Sequence, residues 1–493
     1  MGKKKVVVIG AGFAGLSAAT SLADKGYEVV LLEKNSSPGG RARMYEAEGF
    51  RFDMGPSWYW MPDVFEAYFN KFGKKVSDYY ELIRLDPGYT IVFGENDRMT
   101  VPADMPGLEA MFESYEPGAG LKLREFLAQA AYKYEVGINK LVYKPSRSIT
   151  EFLSPKLLYD MLRMDIFSSM SKHVRKYFSH PQLIKLMEFP VLFLGATPQN
   201  TPALYSLMNY ADLSLGTWYP QGGMFEIVKA FVSLAEEKGV KLMYNAEVSA
   251  IEASGRKAKL VKSTAGDFEA DVVVAGADYA HIDQKVMAPE YRNYTPEYWD
   301  KRTMAPSSLL FYIGLNKRLE GLTHHTLFFD EQFDQHAHDI YTDPKWPSKP
   351  LFYTSLSSKT DPSVAPQGCE NLVILVPLAP DLEDSTEIRE HYYDLIMDRF
   401  ERLIGQSIRD AVIYKRSYAH NDFKADYHAY KGNAYGLANT LLQTAILKPA
   451  LKNKKLDNVY FTGQLTVPGP GVPPTIISGQ VVADEIFKEW PNN

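Results

Sequence analysis

The sequence predicts an α/β protein in which a parallel sheet wrapped by helices is interrupted by a second, α+β domain of sheet plus helices. Three observations carry this. A β-branched run, Val6 to Ile9, meets a glycine-rich turn, GAGFAG, and then an apolar helical pattern. Two further stretches, at 219–278 and beyond about 455, again set glycine-rich turns beside short β-branched runs. Between them lie segments with strand and helix periods of their own. With 493 residues, 45% of them hydrophobic, the chain is long enough for two interleaved domains.

In chain order, the first strand is short and β-branched, as a strand covered on both faces should be. Gly10, Gly12 and Gly15 follow at GxGxxG spacing. The first makes the tight turn, the second lets a diphosphate touch the backbone, and the third lets the helix lie against the strand. Phe13 and Ala14 open that helix, whose first N–H groups and positive dipole end suit phosphate. Leu16, Ala19, Leu22 and Ala23 recur at helical spacing, Gly26 ends the helix, and Glu28 to Glu33 reads as the second strand. Glu33, with Lys34 beside it, stands where an acid accepts hydrogen bonds from a ribose 2′-hydroxyl and repels a 2′-phosphate. NADP is therefore disfavoured.

A second loop, Gly39-Gly40-Arg41-Ala42-Arg43, follows. Its glycines admit a ligand close to the backbone, and Arg41 or Arg43 can offer planar donors to phosphate. A nicotinamide dinucleotide has no use for such a loop here, so FAD is expected. The stretch FRFDMGPSWY sets Asp53, Gly55, Pro56 and Ser57 in a turn of the kind that lines a flavin.

These motifs, GAGFAGL, LLEKNSSPGGRA and FDMGPSW, resemble the bacterial-type phytoene and carotenoid desaturases of the flavin amine oxidase superfamily. The resemblance continues in the turn Tyr219-Pro220-Gln221-Gly222-Gly223-Met224. In GVKLMYNAEVSAIE it implies that the backbone of Val248 meets the adenine, and DFEADVVVAGAD is similar to the strand that returns to the nucleotide, ending at Asp278. In the closing segment DNVYFTGQLTVPGPGVPPTIISGQ it implies that Gly463 and Gln464 meet the diphosphate and ribityl region. There too, Gly469, Gly471, Val472 and Pro473 would pass beneath the isoalloxazine. Pro473 and Pro474 suit a helix start, and a helix from about Thr475 would point its positive end at the flavin pyrimidine. Gln464 and Pro474 depart from the family pattern, standing in place of a small or acidic residue and of a glycine.

The resemblance implies a Rossmann-like FAD-binding domain of the two-dinucleotide-binding flavoprotein type. Motif positions divide it into 1–105, 215–290 and 421–493, with a substrate and membrane-facing domain in 106–214 and 291–420. Within the latter, LKLREFLAQAAYKYEVGINKLV and HYYDLIMDRFERLIG have helical period, and SSLLFYIGL and NLVILVPL read as strands over the flavin. The implied activity is desaturation of an acyclic C40 carotenoid. The 1-hydroxycarotenoid 3,4-desaturase branch is preferred and phytoene desaturase comes next. A carotene isomerase, an amine or protoporphyrinogen oxidase, and a flavin-free prenylated-GTPase escort share the frame. Desaturation takes a hydride from an allylic carbon and a proton from its neighbour, so it needs an apolar tunnel more than acid–base machinery. No catalytic base is assigned. At their spacing His420, Asp422, Asp426 and His428 could line a site, but in a tyrosine-rich loop they read as surface residues, and His324, His325, His336 and His338 read as loop residues without the carboxylate partners a metal site needs.

A net charge of -6 supplies no field for nucleic acid. Cys369 stands alone, which excludes an intramolecular disulfide and suits a reducing interior. No apolar run approaches the ~18 residues of a spanning helix, so membrane contact is expected to be peripheral, on the cytoplasmic face. From Phe152 to Phe178, apolar residues alternate with Lys156, Arg163, Lys172, Arg175 and Lys176. That pattern is either a core helix with a solvated face or a helix in the lipid interface, and a lipophilic substrate favours an entrance facing the bilayer.

Overall fold

A computed structural model describes residues 2–153, 155 and 168–492. Five parallel strands form one sheet, in the spatial order Val459–Phe461, Val272–Ala275, Lys5–Ile9, Glu28–Leu32 and Lys241–Met243. Val6 lies opposite Val272 on one side and Val29 on the other. The central strands are buried on both faces, which is why they read as continuous β-branched runs. Helix Phe13–Asp24 packs on this sheet and against the C-terminal helix Val472–Glu489. Their contact is close because Gly479 has no side chain: a Cβ there would stand 2.4 Å from the carbonyl oxygen of Ala14. Ser17 Oγ donates to the Ile476 carbonyl at 2.7 Å across the same crossing.

Seven strands form the second sheet, ordered Val412–Tyr418, Ser307–Leu315, Glu370–Leu378, Phe352–Ser355, His325–Phe328, Tyr89–Gly94 and Asp97–Val101. Tyr89–Gly94 and Asp97–Val101, grouped by sequence position with the first nucleotide segment, pair in this sheet. Every residue of Ser307–Leu315 is buried, and period-2 alternation gives its two faces different tasks. Leu309, Phe311, Ile313 and Leu315 join Leu372, Ile374 and Val376 beneath helix Thr386–Ile404, whose Tyr393, Ile396 and Phe400 cover them. Tyr312 packs on Phe52 on the opposite face.

Helices Met105–Tyr115, Ala119–Val136 and Pro181–Glu188 turn Leu108, Phe112, Leu123, Phe126, Leu183 and Leu186 into the main core. Of the basic amphipathic stretch, residues 154 and 156–167 lie outside the described residues, and Leu157, Leu158, Met161, Arg163 and Phe167 with them. In the described part, Met170, Val174 and Phe178 are buried, and Arg175 forms an ion pair with Glu188. There the core-helix alternative holds: the apolar face is spent on the interior, not offered to lipid.

Candidate functional site

The carboxyl ends of the parallel strands and the inner face of the mixed sheet enclose a cavity of about 430 Å³. Segments from across the chain converge on it. Gly10, Gly12, Phe13 and Ala14 arrive from the first turn, Glu33 and Lys34 from the edge of the second strand, and Gly39, Gly40 and Arg41 from the second loop. Gly55, Pro56, Ser57, Val248, Asp278, Gly463, Gln464, Gly471, Val472 and Pro473 complete that set of wall residues.

Gly15 lies beneath the wall instead. A Cβ there would come within 1.9 Å of the Gly10 carbonyl oxygen, so its role is to seat the helix on the turn. Gly12 is the opposite case, since a Cβ there would meet nothing within 4 Å and would project into open space along the wall. The two glycine loops are locked together, the Gly39 N–H donating to the Ala11 carbonyl at 2.8 Å. Glu33 is 5% exposed, and its carboxylate accepts from the N–H groups of Ala11 at 2.7 Å and Asn35 at 2.9 Å. The Lys34 ammonium donates to the Ala425 carbonyl.

Arg41 and Arg43 separate in role. Arg43 forms an ion pair with Asp426 and stands 5.1 Å over the Tyr427 ring, which commits it to the scaffold. Arg41 donates to the Asn433 carbonyl at 3.3 Å, and Gln464, with its amide oxygen turned inward, accepts from both terminal guanidinium nitrogens at 3.1 and 3.0 Å. The Nε of Arg41 is buried without a partner. Burial pushes the nearby Asp278 carboxyl up, and the Arg41 charge opposes that shift.

The C-terminal helix begins at Val472, three residues ahead of the expected Thr475, because prolines at the second and third helical positions need no N–H partner there. The Thr475 N–H already donates to the Gly471 carbonyl at 3.0 Å. Val472 is thus the one early residue with an uncommitted type of donor, and the helix dipole supplies the rest of the positive potential. An open glycine cradle, an unpartnered buried guanidinium nitrogen and a helix start on one wall fit a flavin dinucleotide with its diphosphate at the glycine loops.

Two expectations change. His420, Asp422 and Asp426 belong to helix His420–Tyr427, not a loop. His420 is buried and bonded to the Ala379 carbonyl at 2.8 Å, Asp422 pairs with Arg389, and Asp426 and His428 line the cavity. His428 stacks on His281 at 3.9 Å and meets Glu247 at 2.8 Å; burial, followed by His428, pushes His281 down to about 4. Likewise His325 opens a strand and is fully buried, as His324 nearly is, and His336 lies on helix Phe333–Tyr341. A pair of histidines reads as loop when its strand is only four residues long. Among the described residues, no group of three His, Cys, Asp or Glu is arranged to hold a metal ion.

Apolar and aromatic residues not singled out from sequence supply much of the remaining wall: Trp58, Trp60, Met61, Phe65, Met208, Leu310, Tyr353, Leu375 and Tyr435. A smaller cavity of about 70 Å³, walled by Phe189, Phe329, Phe333, Ile340 and others, shares Tyr353, Leu375 and Tyr435 with the first. The two cavities thus lie side by side under the mixed sheet, with these three side chains between them.

Comparison with known proteins finds that residues 13–487 match the family described as flavin containing amine oxidoreductase. The chain is 44% identical to the carotenoid 3,4-desaturase of Haloarcula japonica, over 98% of either chain. It is 30% identical to the zeta-carotene-forming phytoene desaturase of Myxococcus xanthus, over 98% of this chain and 94% of that one. Among solved structures, an oxidoreductase from Methanosarcina mazei superposes with a TM-score of 0.63 at 16% identity, covering 97% and 100% of the two chains. Cyclohexylamine oxidase from Brevibacterium oxydans gives 0.58 at 15% identity, covering 99% of each.

Proposed function

This chain belongs to the flavin containing amine oxidoreductases and, within them, to the carotenoid desaturases, and we propose that it introduces a 3,4 double bond into an acyclic, 1-hydroxylated C40 carotenoid. It is an FAD-dependent oxidoreductase. The 44% identity to a carotenoid 3,4-desaturase over essentially the full length is the observation that carries the position of the bond.

When bound, FAD supplies a two-electron hydride acceptor. The protein's own work is to bind, orient and exclude. Gly10, Gly12, Gly39 and Gly40 would let the backbone close on the diphosphate, Arg41 would offset the charge, and Glu33 would take the ribose hydroxyls. Val248 would meet the adenine, and Gly463, Gln464 and the Gly471–Pro473 turn would hold the ribityl chain and the ring. Trp58, Met208, Leu375 and Tyr435 would surround the reacting part of the polyene. Water has little hold on such walls, which protects the developing polyene cation from capture.

A hydrocarbon of this size is nearly absent from water, so the substrate enters from a bilayer and the enzyme rests on its cytoplasmic face. No helix among the described residues is long and apolar enough to cross a membrane. Leu442, Ile446 and Leu447 stand exposed within one short stretch, at 79%, 40% and 47%, and we assign them to the lipid-facing side. Coexpression with candidate carotenoids in a pigment-free host, followed by chromatography, tests the assignment. A 3,4-dehydro product from a 1-hydroxylated substrate is expected; conversion of phytoene alone would move the chain to the earlier step, and unchanged polyenes throughout would discard desaturation.

A further inference from the structure

We propose that Tyr353 and His325 form a proton-accepting dyad for the second half of the reaction, an inference that rests on the desaturase reading above. Tyr353 sits in strand Phe352–Ser355 and lines both cavities at their junction. Its single hydroxyl proton can go to Ser57 Oγ at 2.9 Å, and Ser57 is itself a wall residue, so the phenol oxygen lies one hydrogen bond from the cavity wall. The same hydroxyl is 2.6 Å from Nδ1 of His325 on the neighbouring strand. His325 is fully buried, and its Nε2 has no partner. The imidazole lies flat against Trp58, ring centroids 4.3 Å apart and planes 12° apart. In an otherwise apolar wall, a tyrosine with two alternative acceptors and a histidine with an idle nitrogen form a polar pair that packing alone does not require.

Once the allylic carbon has lost its hydride, the adjacent C–H bond is strongly acidic, and even a weak base suffices. That bond breaks, its electron pair becomes the new π bond and quenches the cation, and the proton binds Tyr353 Oη. The hydroxyl proton of Tyr353 moves at the same time to His325 Nδ1. Tyrosine ends neutral and histidine ends as imidazolium, stabilised over the indole face of Trp58; the proton leaves by the reverse path between turnovers. Burial holds His325 neutral at rest, as an acceptor must be. Tyr353 is the catalytic residue here, and His325 acts through it as a positioning residue.

The test uses the FAD-loaded enzyme with substrate in phosphatidylcholine vesicles, under anaerobic single turnover, with substrate deuterated at the carbon that loses the proton. Tyr353→Phe should retain FAD, slow product formation by about 100-fold, and raise the isotope effect above that of the wild type. His325→Gln should shift both in the same direction. In the resting wild type, the ¹⁵N resonances of labelled histidine should show His325 protonated at Nε2. Rates within about threefold of wild type with an unchanged isotope effect overturn the dyad, as does an Nδ1-protonated His325. If Tyr353→Phe loses its flavin, the His325→Gln rate and the tautomer decide. A wild-type enzyme that converts no polyene removes the desaturase reading and the dyad with it, whereas an active wild type with unaffected variants removes the dyad alone.

Discussion

Glu33 is the residue to which the proposed FAD site assigns the ribose hydroxyls. Its oxygens already receive two backbone N–H groups, which fix the carboxylate at the head of the cavity before any ribose arrives. Glu33→Arg should therefore remove ribose acceptors and unpair both donors at once, and the purified variant is expected to lack the flavin absorbance of the wild type. Lys448 poses a different question. It is 6% exposed with no partner at Nζ, and it faces Gly469 from the same side as Asn439, whose Oδ1 is also unpaired. Burial pushes the ammonium down from 10.5 to about 7. Between those values the unfolded chain binds more protons than the folded one, so stability rises with pH across the window, by up to about 1.4 kcal/mol per pH unit, and the full cost is felt below it. Lys448→Met should melt higher than wild type at pH 7 and lose the gain toward pH 10, as thermal melts across that range would read. The place of Glu33 at the end of the second strand was legible because a βαβ unit puts an acid there, whereas Lys448, Tyr353 and His325 acquire meaning only from neighbours distant in sequence.

At the scale of elements, the crossing of Phe13–Asp24 with Val472–Glu489 is the most demanding contact, since it brings backbone within reach of backbone at Gly479. A methyl group there must displace the Ala14 carbonyl, and Ala14 belongs to the wall of the cofactor site. Gly479→Ala is expected to cost about 1–3 kcal/mol and to weaken flavin retention together, checked by melting temperature and FAD titration. The strands Ser307–Leu315 and Glu370–Leu378 could be read in advance from apolar runs bounded by loop residues. Helix His420–Tyr427 could not, because its half-buried Asp422, Asp426 and Tyr427 carry little apolar period; only His420 and Phe423 are fully buried. The start of the closing helix was placed late for a related reason: consecutive prolines suggest a preceding loop, yet the first turn tolerates them.

For the whole molecule, the decisive arrangement is one apolar wall shared by two sheets, with nucleotide loops at one end and the smaller cavity beside it. The nucleotide half was legible because each glycine motif demands its own backbone geometry. The substrate half was legible only in outline, since Trp58, Met208, Tyr353 and Tyr435 resemble any core residues until the sheets meet. Leu442, Ile446 and Leu447 are exposed together at a length no solvated turn requires. Leu442→Asp with Leu447→Asp should reduce cosedimentation with vesicles while leaving FAD content intact; equal sedimentation of the double variant and the wild type would place the lipid contact elsewhere.

The parallel sheet sets a timetable as well as a shape. Its outermost strand, Val459–Phe461, and the helix that closes the flavin wall are the last parts of the cavity to leave the ribosome. A nascent chain can complete its seven-stranded layer earlier, but it has no back wall to grip a prosthetic group until synthesis has passed that point, so loading must wait for this segment.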